Sequence, residues 1–268
     1  MHKAFDAMTR PAPATSLRRA ASPAAAAPHA SLSLPVPQTV LQRDDVAVLL
    51  LAEMAPGHRA WGWSRIVLGA WPHRSVPGLR FAKALGSGER GGFGLRPSLT
   101  RQGLFTLFDG EAAANAFLGS PVVEAYRARA SELCTITLRA SSSRGRWSGQ
   151  DIGVSASALQ GGCVAALTRA SIRPLQAGRF WHRSPLTESA LQGAEGCLLA
   201  VGLGEAPLLR QATFSIWRDQ AAMDAYARSG AHQQAIVAAH RGDWFSESMF
   251  VRFVPLQIRG HWQGRRHG

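Results

Sequence analysis

The sequence predicts an α+β fold in which two tandem ferredoxin-like βαββαβ halves close a barrel of the dimeric α/β-barrel type within one chain. Residues 105–149 and 214–264 repeat one another, because FTLFDGEAAANAFL is matched by FSIWRDQAAMDAYA and RGRWSG by RGHWQG. Each copy shows the same order of apolar strand-like runs and helix-forming segments. The 268 residues, 46% of them hydrophobic, suffice to bury one shared core.

The elements follow in the same order in both halves. Each begins with an apolar strand, and a Trp-bearing segment of partly helical period follows it, AWGWSRIVLGAW or FWHRSPLTESAL. Three further strands alternate well enough to bury one face. Asp109 and Asp219 precede Ala-rich segments, where an N-cap belongs, and predict one more helix per half. The predicted strands are Val46–Met54, Phe81–Ala84, Gly103–Phe108 and Thr135–Leu138, then Val164–Ile172, Leu198–Val201, Gln211–Trp217 and Met249–Val254.

The predicted organisation is a leader followed by the two halves. Residues 1–44 are rich in Ala, Pro and Ser, which favours a disordered leader, although the composition also resembles a transit peptide. Residues 45–150 form the first ferredoxin-like half and residues 151–268 the second.

Gly86, Gly88 and Gly91 form a literal GxGxxG motif. A dinucleotide site needs a helix directly after this motif, so that the helix N-terminus can bind the pyrophosphate. The segment that follows contains Pro97 and has no helical pattern. We therefore interpret the motif as a turn between two strands.

The charge balance indicates an anionic partner. Lys and Arg number 30 against 17 acidic residues, a formal net charge of +13. No recognised nucleic-acid-binding signature is present, so we expect no nucleic acid partner. A basic surface can instead contact anionic lipid or dock an acidic protein. No apolar run reaches 18 residues, and we expect a cytoplasmic protein in peripheral contact with the membrane.

The sharpest difference between the repeats is His232, which stands where the first copy has Val123. On a helix it shares a face with Ala235, Ile236 and Ala239, a pattern typical of a core-facing stripe. One interpretation is a core histidine bonded to a backbone carbonyl, and the other is an axial ligand of haem iron among small residues. His182 and His240 are competing ligands, and Glu247 is a candidate acid or base.

Several separated motifs of the second half resemble the spheroidene monooxygenase family, the acyclic carotenoid 2-ketolases of purple photosynthetic bacteria. The resemblance covers about residues 45–264. The motifs are ALTRASI (Ala166–Ile172), Phe180–Trp181, Gly202–Glu205, Gln211–Trp217, ARSGAHQQAI and WFSESMFVRF.

This resemblance implies a monooxygenase that contains haem b, uses O2 and takes electrons from a ferredoxin. It implies two hydroxylations at C-2 of spheroidene or a related acyclic carotenoid, which give the 2-keto product spheroidenone. His232 is then the candidate axial ligand and catalytic residue, Arg173 a partner of the haem propionates, and Trp217 and Trp244 cofactor contacts. The predicted substrate lining is Phe180, Trp181, Phe214 and Phe245. A cofactor-free oxygenase and a non-enzymatic barrel that binds an apolar ligand remain alternatives.

Overall fold

The computed structural model describes residues 43–92, 96–156, 161–206, 209–228 and 230–268. Residues 1–42 of the predicted leader lie outside the described residues. In the first half, strand β1 is Val46–Met54, β2 Leu79–Gly88, β3 Pro97–Phe108 and β4 Ala130–Gly145, with helices α1 Arg59–Leu68, α2 Glu111–Leu118 and α3 Pro121–Arg127. In the second half, β5 is Val164–Ile172, β6 Cys197–Ala206, β7 Arg210–Trp217 and β8 Phe245–Trp262, with α4 Ala177–Gln192, α5 Gln220–Arg228 and α6 Gly230–Arg241. A short strand β9, Arg265–His267, pairs with the end of β8.

The strands form one closed antiparallel barrel. Each half has the ferredoxin-like order β4-β1-β3-β2 or β8-β5-β7-β6. The halves join at two seams: Gly86 and Ser87 of β2 pair with Gly204 and Leu203 of β6, and β4 pairs with β8 along its length. The predicted α+β fold class is therefore confirmed, with two helices where the sequence predicted one second helix per half.

Strand β1 is buried on both faces, which explains its nearly continuous apolar sequence. In β1, Leu49 and Leu51 point into the barrel and pack with Phe105, while Val48 and Leu50 point outward against the helices. The barrel interior is thus a core shared by the two halves, and each half adds a helix layer outside.

One predicted cap is confirmed and one is wrong. Asp219 accepts a hydrogen bond from the Ala222 backbone N–H at 2.8 Å and caps α5. Helix α2 begins after Gly110, which occupies the N-cap position, so that Asp109 lies one residue too early. Its carboxylate instead lies 3.2 Å from Nε of Arg80.

The glycine motif belongs to a hairpin, as the sequence predicts. Strand β2 ends at Gly88, a 3₁₀ turn covers Glu89–Gly91, and β3 begins at Pro97. No helix follows among the described residues of this connection.

Candidate functional site

The sheets of the two halves differ in the side chains that they turn toward the helices, and this difference locates the candidate site. In the first half Val48, Leu50 and Leu104 are completely buried beneath the helices, together with Val123 and Tyr126 of α3. The equivalent sheet positions in the second half carry smaller or more polar residues, Ala166, Thr168 and Thr213. The sheet of the second half therefore contributes less side-chain volume to its helix layer.

Thr168 shows that this missing volume is open to solvent. It lies in the middle of β5, between Thr213 of β7 and Phe250 of β8, yet it is exposed, whereas Leu50 is fully buried. Helix α6 packs mainly against α4 and α5, while its counterpart α3 packs on β4. We call the space above Ala166, Thr168 and Thr213 the second-half cleft.

A second exchange between the repeats lies in the first helix of each half. Gly62 of α1 is buried so closely that a Cβ atom there would lie 2.6 Å from Gln102 Nε2. The equivalent position in α4 carries Phe180, whose ring contacts Trp181 and Phe245 at centroid distances of 5.3 and 6.2 Å. A large ring thus stands where the first half allows only a hydrogen atom.

The predicted aromatic residues lie at both ends of β5. Phe180, Trp181 and Phe245 gather near Ile172, which pairs with Phe245. Trp217 pairs with Val164 at the other end and packs against Tyr226. The nine residues of β5 separate the two groups by roughly 26 Å.

Two predicted residues lie away from the open part of the cleft. Phe214 is fully buried in the barrel interior, on the opposite side of the sheet, so the structure does not bring it together with the other predicted residues. Trp244 is buried in the turn after α6, and its backbone N–H donates to Ala239 O at 3.1 Å.

His232 lies on α6, and this confirms a helix at that position. Its side chain and that of His240 lie outside the described part of the structure. Ala239, on the same helical face as position 232, is buried, as the sequence predicts for this stripe. Among the described residues no three His, Cys, Asp or Glu side chains could bind a metal ion together. A haem would need only one such ligand.

The described floor of the cleft fits a flat, mainly apolar ligand. An exposed threonine lies near alanine and phenylalanine, with the rings of Phe180, Trp181 and Phe245 at one end, whereas Trp217 at the other end is fully buried. These are the properties expected of a pocket for haem or a polyene.

The predicted haem-binding arginine lies at the protein surface. Arg173 pairs with exposed Asp243 at 3.1 Å and donates from Nε to the carbonyl oxygen of Asp243. Sequence reasoning missed Arg252, which lies on the cleft side of β8 opposite Ala166 and pairs with Asp224 at 2.9 Å. Because the matching residue of β4 is Thr137, the comparison of repeats that singled out His232 would have found Arg252 as well.

Glu247, the candidate acid or base, has a full set of structural contacts. Burial acts to raise its pKa, but the N–H groups of Gly149 and Ser148 and the guanidinium of Arg169 outweigh burial and hold the pKa below its usual range. The carboxylate is therefore ionised at neutral pH and is not a proton donor there.

A cavity of about 400 Å³ borders helix α6 and is distinct from the cleft. Its described lining is Gln233, Gln234, Val237, Ala238 and Arg241. At 100° per residue these positions share the helical face opposite position 232. The cavity thus gives no support to a ligand beside His232.

Comparison with known proteins identifies the family. No family model matches the chain. Over 239 residues it is 59% identical to the spheroidene monooxygenase of Rubrivivax gelatinosus, covering 89% of this chain and 93% of that protein. The chain belongs to the spheroidene monooxygenase family. The family member of Rhodobacter capsulatus is 35% identical over 210 residues, 76% of this chain and 87% of its own.

Similar solved structures are much more distant. An anthrone oxidase-like protein is 10% identical, with 84% of this chain and 97% of that one covered and a TM-score of 0.31. A cofactor-independent oxygenase from Streptomyces nogalater is 15% identical, with 36% and 96% covered and a TM-score of 0.31.

Proposed function

We propose that the protein is a haem-dependent monooxygenase that oxidises C-2 of acyclic carotenoids such as spheroidene. The observation that carries the proposal is 59% identity across 93% of a protein named spheroidene monooxygenase. Each hydroxylation would consume O2, two electrons and two protons, place one oxygen atom on C-2 and release the other as water. A second hydroxylation at the same carbon gives a gem-diol, which loses water to become the 2-keto product, spheroidenone.

The second-half cleft is the proposed reaction site. His232, on helix α6, would hold the iron of haem b there. The bound haem would supply the activation of O2. Phe180, Trp181 and Phe245 would line the cleft at one end, which suits a long apolar substrate with no charged group to anchor it. Trp217 would support the other end as a buried ring.

The proposed partners are a ferredoxin-type donor and an anionic membrane surface, and the proposed location is cytoplasmic with peripheral membrane contact. Among the described residues, no helix has both the length and the apolarity to cross a bilayer. Helix α1 and the turn after it expose Trp63, Val67 (80%) and Trp71 (62%). No acidic residue lies between Glu53 and Glu89, and exposed tryptophans beside arginines favour a lipid interface.

Pigment analysis tests the proposed activity. The wild-type protein, expressed under air in cells that accumulate spheroidene, should convert the pigment to hydroxy and keto products resolved by chromatography. His232→Ala should lose both the products and the Soret band of the purified protein, whereas His240→Ala on the same helix should retain them. A wild type that makes no oxidised carotenoid would refute the proposed enzyme activity. A wild type that is active but colourless would refute the proposal that the cofactor is haem.

Vesicle binding tests the proposed membrane contact. The wild type should sediment with vesicles that contain anionic lipid and much less with zwitterionic ones. Replacing Trp63 and Trp71 by Ser should release it, and Leu99→Ser, at an exposed leucine on β3, should not. Equal sedimentation of the tryptophan variant and the wild type would exclude α1 as the contact.

A further inference from the structure

We propose that Arg252 binds a carboxylate of the cofactor in the second-half cleft. This assignment rests on the proposed function, because the acyclic carotenoid has no acid group, whereas haem b carries two. It differs from the sequence prediction, which gave this role to Arg173.

The position of Arg252 places a positive charge inside the layer between sheet and helices. Met249, Val251 and Phe253 of β8 point into the barrel core, so Arg252, between two of them, points to the helix side. It lies opposite Ala166, and its guanidinium carbon is 5.8 Å from the ring centroid of Phe250. Its neighbours on the cleft floor are therefore small or apolar.

The contacts of Arg252 leave hydrogen-bonding capacity for a ligand. One terminal nitrogen donates to Asp224 Oδ1 at 2.9 Å, while the buried Nε has no hydrogen-bond partner among the described residues. The side chain is 31% exposed, so part of it is accessible to a ligand. A guanidinium has five N–H donors, and one carboxylate cannot satisfy them all.

The charge balance around Arg252 also favours an anion. Asp224 lies between two arginines, because Arg228 approaches its Oδ2 at 4.0 Å. Two positive groups and one negative group leave a surplus positive charge beside the cleft. Arg173, in contrast, forms its ion pair at the exposed surface, where solvent screens the attraction for a cofactor.

A binding cycle with a modified ligand tests the assignment. Apo protein is titrated with haemin and with haemin dimethyl ester, which lacks free carboxylates, and the Soret band gives each Kd. We expect Arg252→Met to bind haemin about 10–100-fold more weakly than the wild type, as the loss of a charged hydrogen bond predicts. The ester should bind wild type and variant alike, and Arg173→Met should resemble the wild type with both ligands.

A second variant and a stability measurement distinguish weaker haemin binding from a loss of folding. Asp224→Asn removes the competing carboxylate, so it should bind haemin at least as tightly as the wild type, and thermal unfolding of each apo protein checks its fold. If Arg252→Met binds haemin as tightly as the wild type, the role of Arg252 alone is overturned. The same holds if Arg252→Met loses as much affinity for the dimethyl ester as it loses for haemin. A wild type that binds no haemin would overturn the cofactor proposal and this assignment together.

Discussion

Thr168 is the residue that most clearly distinguishes the second half from the first. Its counterpart Leu50 is fully buried, although both occupy the middle of a central strand. The duplication therefore supplies a natural control for each residue of the cleft. Substituting a cleft residue by its first-half counterpart should therefore fill the equivalent space in the second half.

Thr168→Leu should close the cleft. The added side chain can bury against Ala166 and Phe250, which should keep or raise the free energy of unfolding, by up to about 1.5–3 kcal/mol if burial is complete. Haemin binding, measured by Soret titration, should weaken at least tenfold. Thr168→Val, which preserves the volume, should bind normally. Unchanged haemin binding by the leucine variant would show that the cofactor lies elsewhere.

His73 shows the reverse exchange, because the second half has Leu191 at the same position. The imidazole is 1% exposed, and neither ring nitrogen has a hydrogen-bond partner among the described residues. Burial, and to a smaller extent the nearby Arg65, lower its pKa from the ordinary value of 6.5. The first half therefore keeps a neutral histidine in its packed layer at pH 7.

This lowered pKa predicts that stability depends on pH. Below pH 6.5 the unfolded chain binds a proton that the folded protein does not, so the free energy of unfolding should fall as the pH falls toward the folded-state pKa. His73→Leu should flatten this part of the curve in urea unfolding series between pH 7 and 5. His182→Leu, at an exposed histidine, should leave the slope unchanged. An unaltered slope in His73→Leu would contradict the assignment.

At the scale of elements, the sequence predicted the order of strands and helices better than their ends. Strands β1 and β5 have the predicted bounds, because their sequences change abruptly, shortly before Pro56 and directly before Arg173. Strands β4 and β8 are far longer than predicted, since their outer ends pair with each other across the repeat and need no apolar alternation. The cleft could not be predicted from one half alone, because it arises from volume lost relative to the other.

The aspartates that precede α2 and α5 allow the effect of an N-cap to be compared between two equivalent helices. Asp219 bonds to the first turn of α5, while Asp109 lies one residue before the N-cap of α2. Asp219→Ala should lower the melting temperature by about 2–4 °C, as the loss of an N-cap predicts. Asp109→Ala, measured by the same thermal scan, should have the smaller effect. An unchanged melting temperature in Asp219→Ala would mean that α5 gains nothing from its cap.

At the scale of the whole molecule, the barrel is closed by seams of unequal length. The β4–β8 seam runs from Cys134 and Gly260 to Gly145 and Met249, whereas the β2–β6 seam has two residue pairs. Side chains reinforce the short seam: Ser87 Oγ donates to Gly202 O at 2.7 Å, and Lys83 pairs with Glu205 at 2.7 Å. Burial acts to raise the pKa of Glu205, but Lys83, Trp147 and Arg169 outweigh burial and lower it.

The short seam should be the place where the barrel opens first. At pH 7 we expect the backbone amides of residues 83–88 and 202–205 to exchange with deuterium faster than those of β4 and β8, because fewer ladder bonds must break to free them. Lys83→Met removes the cation that pairs with Glu205, so it should accelerate exchange at this seam several-fold. The amides of the β4–β8 seam should exchange at an unchanged rate, and they serve as the internal control. Because the pKa of Glu205 is lowered, the stabilisation that its carboxylate gives to the seam is present at neutral pH. This stabilisation is lost as the pH falls below about 4.5 through the folded-state pKa, so the exchange rates of wild type and variant should converge in acid. Uniform exchange at both seams would mean that the barrel opens only by global unfolding.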